Sequence, residues 1–259
     1  MTNLKEELLL IIPVHNNLQG VQLLEGFVKD NFDKIFTNWH VVLVDNLSNL
    51  DVSSKLKLIC NNSRFSYVEQ DKPMSLKLNL HLGFLHGVKM MPNPDIIGVF
   101  ETDLEPNVET ITAMKDLILT EIKNGCCSVS PMYKWRESYC YPTHKHWHTD
   151  PIYKKNNFGT ITKAHAIPFL CSFWEPSHFS KINNKSFREF LHLDTDFGNF
   201  LTNEGYFHLR LKDMHAVHTG GGKQSRTGLK QNYKSVTNQR KAGAVTVNAK
   251  RRTIKRLRR

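Results

Sequence analysis

The longest apolar run of this 259-residue chain, Leu8 to Val14, is far too short to cross a bilayer. The start of the chain also lacks the basic residues and small-residue cleavage site of a secretory signal. Cysteine is scarce and odd in number: five residues, two of them the adjacent Cys126 and Cys127, and none at CxxC spacing. That excludes a disulfide framework and a Cys-based zinc site, and it predicts reduced thiols in a cytoplasmic setting. Internal repeats are absent. So are acidic residues after Asp213, although the chain runs on for another 46 positions.

What is present is an ordinary globular composition, 40% apolar and 23% charged, in a length that suits one large α/β domain. The net charge of +11 is unevenly placed. Residues 1–222 hold 22 basic and 24 acidic groups, a net of −2, and residues 223–259 hold 13 basic groups and no acid. The expected organisation is therefore a body over 1–222 and a basic C-terminal tail over 223–259. A change of pattern at Gly125 divides the body into halves, 1–125 and 126–222. A basic arm of this kind meets a polyanion, either nucleic acid or an anionic membrane, or it merely keeps the chain soluble.

Leu8–Ile12, stopped by Pro13, reads as a strand buried on both faces, as do Val41–Val44 and Asp95–Phe100; Phe65–Val68 is a shorter strand. Helical spacing of apolar residues runs over Val21–Ile35, Leu76–Met91 and Ile111–Ile122, the last closed by Gly125. Such alternation predicts βαβ units and a mostly parallel sheet flanked by helices. Ligands in such sheets bind outside the carboxyl ends of the strands. Polar residues stand at those ends: His15 and Asn16, Asp45 to Ser48, Glu101 to Asp103. Residues 131–158 read as loop-rich, with many aromatics and with His144, His146 and His148. Those histidines share a face if extended, but no further ligands suit zinc. An aromatic and histidine surface there could stack on a sugar or base, or simply pack a long loop. Ala166–Trp174 reads as a strand, and Asp194–Glu204 as a helix stopped by Gly205.

Five acidic residues, at three places in the chain, invite chemistry. Glu101 and Asp103 lie on one side of an extended chain and suit a hard cation, Mg²⁺ or Mn²⁺, whose coordination a diphosphate completes. The same triplet also fits a strand end entering a solvated turn. Asp45 could accept hydrogen bonds from a base or ribose, or close an Asx turn. Asp194 heads a helix, where a carboxylate stays ionised; it suits a general base or a plain N-cap, and Asp196 competes for the role.

Taken in order, the strand with Pro13, Asp45-Asn46-Leu47-Ser48, Asn79-Leu80-His81-Leu82-Gly83, Gly98-Val99-Phe100-Glu101-Thr102-Asp103, Leu193-Asp194-Thr195-Asp196 and Ala216-Val217-His218-Thr219-Gly220-Gly221 resemble the family-2 glycosyltransferases of the GT-A fold. The likeness extends over roughly residues 8–222, and it implies that 1–125 is the nucleotide-sugar-binding half and 126–222 the acceptor-side half. It implies a Rossmann-related GT-A domain and an inverting, metal-dependent transfer of a sugar from a nucleotide-sugar, a UDP-sugar by preference. It also implies that Pro13, His15, Asp45, Ser48, Asn79 and Glu101 line the donor pocket. Asp103 and His218 would then hold Mn²⁺ or Mg²⁺, and Asp194, or else Asp196, would act as base. The chain departs from the family pattern in two places: Glu101 stands where Asp is usual, and Leu193 where an acid is usual. Two acceptor classes follow, a glycan or lipid-linked glycan at an anionic membrane and a hydroxylated base in viral DNA. The absence of Trp and Phe from the tail argues against a membrane-lying helix. A non-enzyme reading, an inactive GT-A-like nucleic-acid-binding protein, is disfavoured by the presence of Asp103, Asp194 and His218 together.

Overall fold

The structure, a computed structural model, describes residues 6–135, 138–139, 150–189 and 193–219. The chain divides into units Met1–Gly220 and Gly221–Arg259, and every described residue belongs to the first.

Strand β1 (Glu7–Val14) is the expected apolar run, and it continues through Pro13. The reason is local. The Val14 carbonyl accepts from Asn46 N–H on the β2 side (2.9 Å), so the polar groups of Pro13 face the opposite flank. Pairing on that flank has ended at Ile11↔Val99, and the missing N–H leaves no ladder bond unmade. Helix α1 (Leu18–Ile35) returns to β2 (Asn38–Asp45), and α2 (Leu50–Ile59), which was not expected from the sequence, leads to β3 (Phe65–Glu69). Helix α3 (Leu76–Met90) then crosses to β4 (Ile96–Phe100) on the far side of β1. These four strands are parallel, in the order β3-β2-β1-β4. Successive β1 residues point to opposite faces. Leu8, Leu10 and Ile12 enter one core with α1, α2 and residues of α4 (Val108–Glu121); Leu9 and Ile11 enter another with α3 and α6 (Leu193–Asn203).

The second half makes the sheet mixed. The two-residue strand β5 (Leu104–Glu105) precedes α4, and β6 (Cys126–Trp135) follows it, with β7 (Ser138–Tyr139) folded against β6. Next come the hairpin β8 (Ile152–Asn156)–β9 (Gly159–Ala164), then β10 (Cys171–Trp174) and α5 (Pro176–Phe179), and β11 (Phe207–His218) closes the body. Strand β10 is antiparallel to both β4 and β6, whereas β6 and β11 are parallel. Three sequence readings change here. The strand expected over Ala166–Trp174 begins only at Cys171, because Pro168 keeps the preceding residues out of the ladder. Residues 131–158 are less loop-like than expected, since β6 and β8 occupy both ends of the segment. Helix α6 begins at Leu193, so Asp194 is inside its first turn rather than at its head. Gly125 and Gly205, at φ 90° and 94°, end their helical segments as expected. Among the described residues no helix is long and apolar enough to cross a membrane.

Candidate active site

The chain moves outward from β1 to β3 and then crosses back to β4, so the β1 and β4 loops diverge at the carboxyl ends of their strands. That crevice is where open α/β sheets take ligands. One wall is made by the loops after β1 and β2, which are stitched together. The Asn46 carbonyl accepts from His15 Nδ1 (2.9 Å), Ser48 Oγ accepts from Asn16 N–H (3.0 Å), and Asn16 Oδ1 accepts from Asn49 N–H (2.7 Å). Asn16 and Leu47 both adopt left-handed φ, 52° and 58°.

Asp45, 1% exposed, organises this wall. Its Oδ1 accepts from Ser48 N–H (2.9 Å), and its Oδ2 accepts from the hydroxyls of Ser53 (2.6 Å) and Tyr67 (2.8 Å). Burial disfavours its charge, yet the hydrogen bonds from Ser53, Ser48 and Tyr67 outweigh burial and hold the pKa below the usual range. The local bond runs to the N–H three residues on, not two, so it caps the loop without forming the Asx turn considered for this residue. Most of its acceptor capacity is used internally.

Asn79 stands on the same ridge of α3 as Gly83 and Gly87. A Cβ on Gly87 would touch Leu9, and one on Gly83 would touch Ile11 and Val44. Four helix residues rise about 6 Å and two strand residues about 6.6 Å, so the next ridge position, Asn79, falls level with Pro13. Asn79 is 2% exposed, and its Oδ1 has no hydrogen-bond partner among the described residues. A buried acceptor of this kind is costly unless something donates to it.

The opposite wall carries the acids. Glu101 N–H donates to the Leu170 carbonyl (3.0 Å), which fixes the exit of β4. Burial first, then the charges of Asp103 and Asp194, push the Glu101 pKa up to about 8. That influence brings Asp194 electrostatically into the group, although it lies more than 90 residues away in sequence. Asp103 is held by the end of β11: Thr219 donates to its carbonyl through N–H (2.8 Å) and Oγ1 (2.9 Å), and His218 Nε2 meets its Oδ2 (2.8 Å). The pairing of β5 with β11 at His218↔Leu104 sets that approach. Asp103 Oδ1 is buried and has no hydrogen-bond partner among the described residues.

Asp194 and Asp196 share the first turn of α6 but differ in surroundings. Asp194 Oδ1 accepts from Thr195 N–H (2.8 Å). Asp196 accepts from Arg188 through its backbone N–H (2.9 Å), Nε (2.7 Å) and Nη2 (2.5 Å), a charge-assisted fork that occupies both oxygens. Sequence reasoning passed over Thr219, Ser53 and Tyr67, whose roles depend on contacts between distant segments. His144, His146, His148 and the tail, 223–259, lie outside the described residues.

Among the described residues no three His, Cys, Asp or Glu side chains form a cage for a cation. Two nearby ligands and an unsatisfied carboxylate oxygen nevertheless suit Mg²⁺ or Mn²⁺, which take one or two protein ligands and complete their shell with water and substrate phosphate.

No protein-family model matches the chain, and no curated protein matches it by sequence. Solved structures match it by fold. A mannosyltransferase, PcManGT from Pyrobaculum calidifontis, in complex with GDP-Man and Mn²⁺, superimposes with TM-score 0.63 at 11% identity, over 85% of this chain and 59% of that one. GalNAc-T7 with UDP, GalNAc and Mn²⁺ gives TM-score 0.61 at 12% identity, over 85% and 44%. TarS 1-349 from S. aureus gives 0.56 at 16%, over 82% and 60%. The chain thus spans between 44% and 60% of the length of these structures. Its fold is that of the GT-A-like glycosyltransferases.

Proposed function

We propose that this chain transfers a sugar from a nucleotide-sugar, a UDP-sugar by preference, to an acceptor hydroxyl, with metal dependence and with inversion at the transferred carbon. The observation that carries the reading is the gathering of Glu101, Asp103 and Asp194, with His218 against Asp103, at the ligand-binding crevice of a GT-A-like sheet. Two of the matching structures hold Mn²⁺ with a nucleotide or nucleotide-sugar.

In this reading the wall formed by Pro13, His15, Asp45 and Ser48 receives the nucleoside, and Asn79 Oδ1 accepts a hydrogen bond from it. Asp103 would ligate the metal, with His218 beside it and Glu101 near the ribose. A divalent cation so held would supply positive charge to the leaving diphosphate. Asp194 takes the acceptor's proton as the hydroxyl oxygen bonds to the sugar carbon and the bond to the diphosphate breaks on the opposite side. The α6 dipole favours its ionised form. Asp196, engaged by Arg188, serves the chain better as a brace for that turn.

The acceptor is a polyanion-associated hydroxyl, either on a glycan or lipid-linked glycan or on a hydroxylated base in DNA, and the tail, 223–259, recruits it. The test of the transfer reading is incubation with a panel of nucleotide-sugars and Mn²⁺ or Mg²⁺, with nucleoside diphosphate release as the readout. Release from at least one donor, lost with chelator, is expected; no release from any donor would count against it.

A further inference from the structure

We propose that Asn17 is a positioning residue for the acidic turn Glu101–Asp103, binding that turn to the start of α1 so that Asp103 is preset for its cation. The proposal rests on the metal-dependent reading above and adds a residue which that reading does not use.

Asn17 is the N-cap of α1, and its Oδ1 accepts from Gly20 N–H at 3.0 Å. Capping alone does not call for asparagine, because Ser, Thr and Asp cap about as well. The amide does something those residues cannot. While Oδ1 serves the cap, Nδ2 donates across the crevice to the Thr102 carbonyl (2.9 Å) and to Thr102 Oγ1 (3.3 Å). Thr102 is the middle residue of the acidic turn, flanked by Glu101 and Asp103. One side chain therefore joins the two loops that diverge at the crevice.

A second residue of the same helix turn shows how close that approach is. A Cβ on Gly20 would lie 1.7 Å from the Thr102 carbonyl oxygen, inside any permitted contact. Glycine costs a helix interior about 1 kcal/mol relative to alanine. Its presence here is explained by the turn that leans on it. Thr102 is thus gripped by Asn17 and backed by Gly20. Its neighbour Asp103 is held from the other side by Thr219 and His218. Outer contacts of this kind decide how well a metal ligand is oriented.

The test uses the full chain. Asn17→Ser keeps the cap and loses the long amide donor; Gly20→Ala favours the helix and pushes against Thr102. Asn17→Ser should unfold near the wild-type temperature, whereas Gly20→Ala, which must displace a backbone carbonyl, should unfold lower. In metal-free protein the Leu104 and Thr219 amides, which close the acidic turn, should exchange about fivefold faster in Asn17→Ser, the equivalent of one hydrogen bond. Mn²⁺ titrated with UDP or with GDP, read by the EPR signal of free Mn²⁺, should bind about 10–100-fold more weakly to both variants. Wild-type exchange and wild-type Mn²⁺ affinity in Asn17→Ser would overturn the proposal, and so would faster exchange with unchanged affinity. A wild-type chain that takes up no Mn²⁺ in either mixture would overturn the metal reading itself, a separate failure, and the exchange rates would still decide whether Asn17 holds the turn.

Discussion

Asp103 and Glu101 are two residues apart on one strand end, and their surroundings give them different work. Asp103 has a partner on one oxygen and none on the other among the described residues, which suits a direct ligand. Asp103→Asn preserves shape and removes charge, and should reduce turnover on the order of a thousandfold, several kcal/mol of transition-state stabilisation. Steady-state kinetics would show it, and near-normal turnover in EDTA would defeat the metal role. Glu101 behaves differently because its pKa rises from 4.5 to about 8 on folding. Between those values the folded chain holds a proton that the unfolded chain releases, so its contribution favours folding below pH 4.5 and is lost as pH rises through 8. Glu101→Gln imitates the protonated form at every pH. In metal-free buffer it should match wild type near pH 4 and exceed it above pH 8, by on the order of a few kcal/mol. Thermal unfolding at the two pH values checks this, and an equal difference at both would refute the titration.

At the scale of elements, the proposed mechanism turns on α6, which carries both candidate bases. Its first turn presents Asp194 and Asp196 together, and sequence position alone could not rank them. We favour Asp194, because the Arg188 fork holds Asp196 with three donors, and a carboxylate so held is poorly placed to take a proton from an incoming hydroxyl. Asp194→Asn should abolish sugar transfer and leave nucleotide-sugar affinity within a few-fold of wild type, because the base acts on the acceptor. Asp196→Asn should retain transfer at reduced rate as its brace weakens. Measuring both turnover and donor binding separates the cases. An inactive Asp196→Asn beside an active Asp194→Asn would reverse the assignment. The strand elements were easier to foresee. Buried runs such as Val41–Val44 admit few alternatives, whereas α2 went unrecognised because its apolar stripe is weak, with Leu50 and Leu58 exposed.

For the whole molecule, the decisive experiment is removal of residues 223–259. The body is nearly neutral and the tail holds the net positive charge, so truncation should separate chemistry from recruitment. Slow hydrolysis of the donor by water should survive, and transfer to the natural acceptor should fall steeply. If that acceptor is nucleic acid, binding by the intact chain should weaken with salt at a log–log slope near −0.9 per duplex phosphate neutralised, and truncation should flatten the slope. If it is lipid-linked, truncation should instead release the protein from anionic vesicles, each basic residue near the surface contributing about 1 kcal/mol. Normal transfer by the truncated chain would show that the tail only aids solubility.

The sequence by itself determined the α/β alternation and the parallel pairing of its first half, but not the strand order. It also determined which polar residues stand at strand ends, because burial on both faces demands continuous apolar runs and leaves polar residues only where strands stop. Glu101 and Asp103 could be singled out in that way, whereas Asp194 and His218 stood out only through the family resemblance. Only the tertiary structure decided what each of them meets. His218 reaches Asp103 across 115 positions through the β5–β11 pairing, Asp45 turns its carboxylate inward to Ser48, Ser53 and Tyr67, and Asn17 reaches Thr102 across 85. A hydrogen bond of that kind depends on ångström-scale distances set by how sheet and helices pack, and periodicity along a chain carries no such distance.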